Sequence, residues 1–168
     1  MTPKGKKTVK RSAAKPAAAK KAAPQRTKKT PAKAGAVTIE QQIADVIRLI
    51  PDATMVIDPK GNVMAWNRAM EKLTGVKAKD IIGKGNFEYS LPFYGERRPV
   101  LADIALKDVR NLKKKYTSIT PWGNTLVAEA RVPSLPGGPA TVYGSATILK
   151  SSQGKLIGVL ELVCEVRK

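Results

Sequence analysis

Apolar residues from Thr38 onward recur at helical spacing, i, i+4, i+7, i+8 and i+11, which predicts one helix with a single apolar stripe. Gln41 stands three residues after Thr38, the spacing of a capping box, and Pro51 ends the pattern. The stripe needs a surface to pack on, either the chain's own sheet or a second subunit. It consists of Ile39, Ile43, Val46, Ile47 and Ile50.

The next segment predicts a hairpin followed by short helices. In ATMVIDPKGNVMAWN, two short apolar runs flank residues 58–62, whose Asp, Pro, Gly and Asn favour a turn. In NRAMEKLTG, Asn67 is placed to cap a short helix and Gly75 to end it. AKDIIG predicts one more helical turn.

An aromatic segment, NFEYSLPFYG, precedes a longer predicted helix. Aromatic side chains supply large apolar burial, so we expect this segment to close a core, with contact to a bound ligand as the alternative. Its aromatic residues are Phe87, Tyr89, Phe93 and Tyr94. In PVLADIALKDVRNLKKK the helix is expected to begin near Pro99 and to place on one face Leu101, Ile104, Ala105 and Leu112.

The remainder predicts strands. NTLVAEARV alternates, and ATVYGSATILK and KLIGVLELVCEV are two strands joined by a turn at residues 151–154. In the last strand Glu161 and Glu165 are expected to face away from the core, and toward it Leu160, Leu162 and Cys164. The predicted fold class is α+β, with about five antiparallel strands and helices on one face.

Charge divides the chain into two parts. The net charge is +18, yet residues 1–36 hold 12 of the 31 basic residues and none of the 13 acidic ones. Within residues 10–29 nothing apolar is larger than alanine, so we expect a disordered basic tail. The predicted organisation is a tail at 1–36, an amphipathic helix at 37–50 and a domain at 51–168.

Missing residue types narrow the function. The chain has no histidine and one cysteine, Cys164, which excludes a Ser-His-Asp triad, His-ligated haem, His-containing zinc sites and an intramolecular disulfide. We therefore expect a protein that is not an enzyme. No secretory signal and no membrane-spanning stretch is recognisable, which favours a cytoplasmic location, nucleoid-associated if the tail binds DNA.

Residues 50–168 resemble the PAS sensor domain family. The similarity rests on the D-x-x-G turn at 58–61, on Asn67, on the E-x-x-x-G run of 71–75 and on D-I-I-G-K at 80–84. NFEYSLPFYGERRPVLADIAL resembles the variant common in archaeal and bacterial sensor kinases. The resemblance implies a five-stranded antiparallel sheet cupped by helices, and a preceding helix through which many relatives dimerise.

The resemblance also implies a cup that holds a small ligand or cofactor, or that side chains fill. The haem-binding branch uses a His, and the light-oxygen-voltage branch carries its flavin-reactive Cys in the helical region rather than in the last strand. His-ligated haem and a flavin-cysteinyl adduct are therefore disfavoured, and the cofactor is left open. The candidate lining is Met55, Ile57, Phe87, Tyr89, Leu101, Ile104, Ala128, Leu160 and Leu162.

The basic tail resembles the Lys/Ala/Pro-rich tails of linker histones and bacterial histone-like proteins. Its cations predict salt-dependent binding of DNA or another polyanion without sequence readout; an acidic membrane surface or an acidic protein is the alternative. The candidate contacts are Lys4, Lys6, Lys7, Lys10, Arg11, Lys15, Lys20, Lys21, Arg26, Lys28, Lys29 and Lys33.

Two functions follow. The first is a PAS-type sensory or regulatory protein in signal transduction or transcription regulation, homodimeric and held on DNA by the tail. A small ligand in its cup would shift the population of sheet and helix arrangements. The alternative is a protein–protein signalling module of a two-component-like pathway, with its output on another chain and no nucleic-acid role.

Overall fold

The computed structural model describes residues 38–107 and 116–165. The predicted tail and its twelve candidate phosphate contacts lie outside the described residues, as do Leu112 and the lysine run after it. In the described part of the chain, no helix is long and apolar enough to cross a membrane.

Helix α1 (Ile39–Arg48) starts as predicted, because the Thr38 hydroxyl accepts the backbone N–H of Gln41 at 3.2 Å. Part of its apolar stripe packs on the sheet, and part is exposed to solvent. Ile47 is buried, with Ile43 and Ile50 beside it, on the outer face of the sheet. Ile39 and Val46 are 51% and 63% exposed. The chain's own sheet is therefore the packing partner for one side of this helix.

Within residues 38–107 and 116–165, six strands form one sheet, and every neighbouring pair is antiparallel. The spatial order is β2-β1-β6-β5-β4-β3. The strands are β1 (Ala53–Ile57), β2 (Val63–Trp66), β3 (Ser118–Trp122), β4 (Thr125–Val132), β5 (Ala140–Lys150) and β6 (Leu156–Glu165). The inner face of this sheet carries the main core, and α1 covers part of the outer face.

In the described residues between strands β2 and β3 lie four further helices and one 3₁₀ turn (Glu88–Ser90). Asn67 caps the helix Arg68–Thr74 as predicted, and Gly75 ends that helix in the left-handed conformation at φ 75°. The helices are α2 (Arg68–Thr74), α3 (Ala78–Ile81), α4 (Leu91–Tyr94) and α5 (Leu101–Lys107). The α+β prediction is confirmed.

Strand β3 is the element that the sequence pattern missed, so the sheet has six strands rather than about five. Pro121 lies inside it, and a proline cannot donate to a sheet ladder. The strand is tolerated because it lies at the edge and pairs only with β4. Most of its residues are exposed, so no alternation of buried positions marks it.

The predicted facing of β6 is wrong. Glu161 is 6% exposed and lies on the inner face with Val159 and Val163, which are buried in the main core. Because side chains alternate along a strand, Leu160, Leu162 and Cys164 lie on the outer face. Leu160 packs there against the α1 cluster, which gives it a partner outside the cup.

Candidate functional site

The inner face of the sheet and the helical segment enclose a cavity of about 20 Å³, room for about one water molecule. Side chains therefore fill most of the cup. The wall combines residues of β1, β4, β5 and β6 with Leu101 at the start of α5. Gly144 of β5 also lies on it, and a methyl group added at this glycine would stand 3.9 Å from Glu161 Oε1.

Glu161 is the acidic group of this cavity. Its Oε2 accepts the backbone N–H of Ala102 at 2.7 Å, in the first turn of α5, where helix geometry leaves N–H groups without partners. Among the described residues, this is the hydrogen bond that the carboxyl of Glu161 accepts. Burial, and then the charge of Asp103, raise the pKa of Glu161 to about 8, and the N–H of Ala102 opposes this rise.

Asp103 is also buried, and both of its oxygens are paired. Tyr89 donates its hydroxyl to Oδ1 at 2.8 Å, and the N–H of Val100 donates to Oδ2 at 2.9 Å. Burial raises the pKa of Asp103. This carboxyl therefore holds the start of α5, and each of its oxygens accepts a hydrogen bond. In Glu161 the hydrogen bond goes to Oε2 alone among the described residues.

Three aromatic side chains also line the cavity. Phe93, Tyr94 and Tyr116 line it, and burial raises the pKa of both tyrosines. The guanidinium of Arg98 lies 4.0 Å from the centre of the Tyr94 ring. Its Nε and Nη2 are buried without a hydrogen-bond partner in the described part of the chain.

The predicted lining residues do not form one group. Met55, Leu101 and Ala128 lie on the cavity wall. Ile57 and Tyr89 are buried in the core, Phe87 packs edge-on against Tyr89, and Ile104 lines a separate groove. The structure contradicts the assignment of two residues to the cup, because they lie on the outer face of β6: Leu160 and Leu162.

Sequence reasoning missed the polar members of the site, above all Glu161. The detectable signal was a single acid inside LIGVLELVC, two positions from Val159 and from Val163. In a strand, residues two positions apart share a face, so Glu161 lies on the same face as the two valines. The sequence is therefore also compatible with a buried Glu161. The sequence predicts that Phe93 and Tyr94 close a core, and the structure places both on the cavity wall.

Comparisons with known proteins agree on the fold. A model of the PAS fold matches residues 41–98. The PAS domain of Bordetella pertussis BvgS superimposes with a TM-score of 0.51 at 17% identity, over 76% of this chain and 85% of that one. A PAS domain from Colwellia psychrerythraea gives 0.49 at 17% identity, over 77% and 98%.

An RNA-binding light-oxygen-voltage receptor gives a TM-score of 0.50 at 14% identity, over 82% of this chain and 36% of that one. A search of curated protein sequences found no match. At these identities the structural likeness establishes the fold alone. The described part of the chain has the PAS fold, with a nearly filled cup and one buried acid facing its remaining cavity.

Proposed function

We propose that this chain is a non-enzymatic sensory or regulatory protein whose cup takes up a small ligand. The observation that carries the proposal is Glu161, a buried acid on the wall of a cavity inside the PAS fold. Burying an acid is costly, so an acid kept on the wall of a cavity favours a binding role.

The same residue provides a route from ligand to surface. Glu161 holds α5 through Ala102, and its neighbour Leu160 packs on the opposite face of β6 in the α1 cluster. A ligand that binds one arrangement of β6 better than another would increase the population of the arrangement it prefers. Because Leu160 of β6 packs in the α1 cluster, the packing of α1 would change with it. Helix α1 would then carry the signal to a partner.

The proposal includes a tether on DNA through residues 1–36. Support comes from the charge of that segment, 12 basic residues and no acid. We expect deletion of residues 1–36 to lower affinity for a duplex of arbitrary sequence at least ten-fold in a gel shift. A tail that contacts about six phosphates loses roughly 10³-fold in affinity between about 50 and 200 mM salt.

The matched control replaces all twelve tail cations with Gln and keeps the length of the chain. It should bind as weakly as the deletion, because the proposal assigns the affinity to charge rather than to length. Unchanged DNA affinity after deletion would rule out the tether. Tighter binding to RNA of the same length than to the duplex would identify RNA as the nucleic acid that the tail binds.

The free face of α1 fits both candidate functions, as the dimer contact of the first or as the partner surface of the second, a protein–protein signalling module without a nucleic-acid role. Ile39, Val46 and Leu49 are 51%, 63% and 85% exposed. Exposed large apolar residues grouped on one helix indicate a contact with another chain, and a second copy is the simplest one.

We expect the double variant Val46→Glu/Leu49→Glu to convert a dimer into a monomer in sedimentation equilibrium, because two charges would be buried in the interface. Gln41→Glu is the control, since Gln41 is exposed on the same helix but lies off the face that carries Ile39, Val46 and Leu49, and it should stay dimeric. A wild-type chain that sediments as a monomer, or a double variant that still dimerises, contradicts the dimer.

A further inference from the structure

The wall of the cup consists of parts that are held with different firmness. Its sheet residues belong to four hydrogen-bonded strands, and Leu101 belongs to α5. Phe93 and Tyr94 come instead from α4, a helix of four residues that ends at Gly95 in the left-handed conformation. A cavity with room for about one water molecule admits nothing larger unless part of this wall moves, and α4 is the shortest element on it.

Residues 91–98, which we call the flap, meet the rest of the fold through a small set of polar contacts. The carbonyl of Phe93 accepts the backbone N–H of Ser134 at 3.1 Å, and the side chain of Arg97 pairs with Glu88. That ion pair lies at the surface, where such pairs contribute little to stability. Burial of Phe93, which is 5% exposed, therefore keeps the flap closed in the main population.

Ser90 joins the flap to the segment that precedes it. Its buried Oγ accepts the N–H of Arg98 at 2.9 Å and lies 2.7 Å from the carbonyl oxygen of Glu96, both in the flap. The carbonyl oxygen of Phe87, outside the flap, lies 2.8 Å from the same Oγ. A serine hydroxyl has one proton, so it fully donates to only one of these carbonyls at a time. Donation to Phe87 removes the tie to Glu96, which gives Ser90 two alternative arrangements.

Arg98 adds a cost to the closed position of the flap. Its Nε and Nη2 are buried without a hydrogen-bond partner among residues 38–107 and 116–165. A buried charged donor without an acceptor is costly, and water would supply acceptors once the flap lifts. The ring of Tyr94, on which Arg98 stacks, belongs to the flap as well. Opening therefore relieves the cost at Arg98 and can keep the stacking contact.

We propose that the flap is the gate of the cup, latched at Ser90 and biased toward opening by Arg98. In the open position Phe93 and Tyr94 withdraw from the wall, and a molecule about the size of one aromatic ring takes the space that they leave. This inference rests on the proposed function, because it states how a molecule larger than one water enters the same cup. Burial of Phe93 keeps the open position a minor population, and a ligand that binds this position increases it.

Amide hydrogen exchange of the full chain, measured by NMR without ligand, tests the gate. The N–H groups of Arg98 and Ser134 both lose their acceptors when the flap lifts, although they lie on different segments. We expect these two amides to open together and to exchange roughly a hundred-fold faster than the amides of β1 and β6, which open only with the whole fold.

Two neighbouring arginines provide a matched pair of variants. Arg98→Met removes the unpaired donors and keeps an apolar side chain, so exchange at Ser134 should become about ten-fold slower. Arg97→Met removes the surface ion pair with Glu88 and should not slow exchange. Ser90→Ala removes the latch and should speed exchange at Ser134 about ten-fold. Its control is Ser134→Ala, which keeps the N–H to Phe93 and should leave exchange at Arg98 unchanged.

Three results of the exchange measurement would overturn the gate. The first is exchange of both amides at the rate of β6, the second is faster exchange in Arg98→Met, and the third is unchanged exchange at Ser134 in Ser90→Ala.

Phenol, followed by amide NMR shifts at Ala102 and Gly144, tests the link between the flap and the cup. Its ring matches the one that Phe93 withdraws. Because the open population limits entry, Ser90→Ala should bind phenol about ten-fold more tightly than the wild type. Equal binding by both proteins would show another route of entry and overturn the gate. If phenol shifts neither amide in either protein while exchange changes as expected, the flap opens but ligand uptake by the cup is contradicted.

Discussion

Glu161→Gln is expected to flatten the dependence of stability on pH and to stabilise the protein above pH 7. The folded-state pKa of about 8 lies above the ordinary value of 4.5, so the folded state holds a proton that the unfolded state has released. Stability is then greatest below the unfolded pKa and falls as pH rises through the folded pKa. Glutamine stays neutral and keeps the acceptor for Ala102, so it avoids this loss.

The magnitude follows from about 1.4 kcal/mol per pKa unit, which gives a loss on the order of 3–5 kcal/mol for the wild type between acid and alkaline pH. Chemical denaturation from about pH 5 to about pH 9 measures it. The control is Glu165→Gln, at an exposed position of the same strand. Asp103 adds to the slope in the same direction, because its pKa is also raised.

Two results would contradict this expectation. A Glu161→Gln protein whose free energy of unfolding falls with pH as steeply as that of the wild type would show that Glu161 is ionised in the folded state near neutral pH. A variant less stable than the wild type at pH 8 would show that the carboxylate makes a stabilising contact beyond the N–H of Ala102.

The elements that the sequence predicted well are those set by local chemistry. Thr38 and Asn67 each accept a backbone N–H three residues ahead, and Gly75 takes the left-handed conformation that ends α2. These signals act within one helical turn, so they can be read without the fold. Strand β3 lacked such a signal, because it exists only through its pairing with β4, and Pro121 argued against it.

The site was harder to predict because β6 is covered on both faces. Apolar residues therefore occupy both alternating sets, Val159 and Val163 inside, Leu160 and Leu162 outside, and hydrophobicity alone cannot choose between them. The acid was assigned to the solvent side, as most acids are. Its partner is the N–H of Ala102, 59 residues away along the chain, and nothing local reveals that this N–H lacks an acceptor.

Asn67→Ala is expected to destabilise the protein by about 3–5 kcal/mol, because this buried amide joins three elements at once. Its Oδ1 accepts the N–H of Thr54 in β1 at 3.0 Å and the N–H of Met70 in α2 at 2.9 Å. Its Nδ2 donates to the carbonyls of Ile50 and Asp52 at 3.0 and 2.8 Å, at the end of the α1 segment. Alanine removes these four hydrogen bonds, and of the four backbone groups the carbonyl of Asp52 keeps another donor, the hydroxyl of Thr54 at 2.9 Å.

Asn67→Asp tests which half of the amide matters. It retains the acceptor for Thr54 and Met70 but loses both donated hydrogen bonds and places a carboxylate oxygen against carbonyl oxygens, so we expect a loss at least as large. Hydrogen exchange should show faster exchange in α1, since the carbonyl of Ile50 loses its tie to the sheet.

Chemical denaturation measures both variants against Asn124→Ala, which removes an exposed asparagine whose side chain makes no hydrogen bond within residues 38–107 and 116–165. That control should lie within about 0.5 kcal/mol of the wild type. An Asn67→Ala protein equally close to the wild type would mean that solvent replaces the lost hydrogen bonds. Helix α1 would then be held by Ile47 and its apolar neighbours alone, and a signal from the cup would have to reach it through the Leu160 contact.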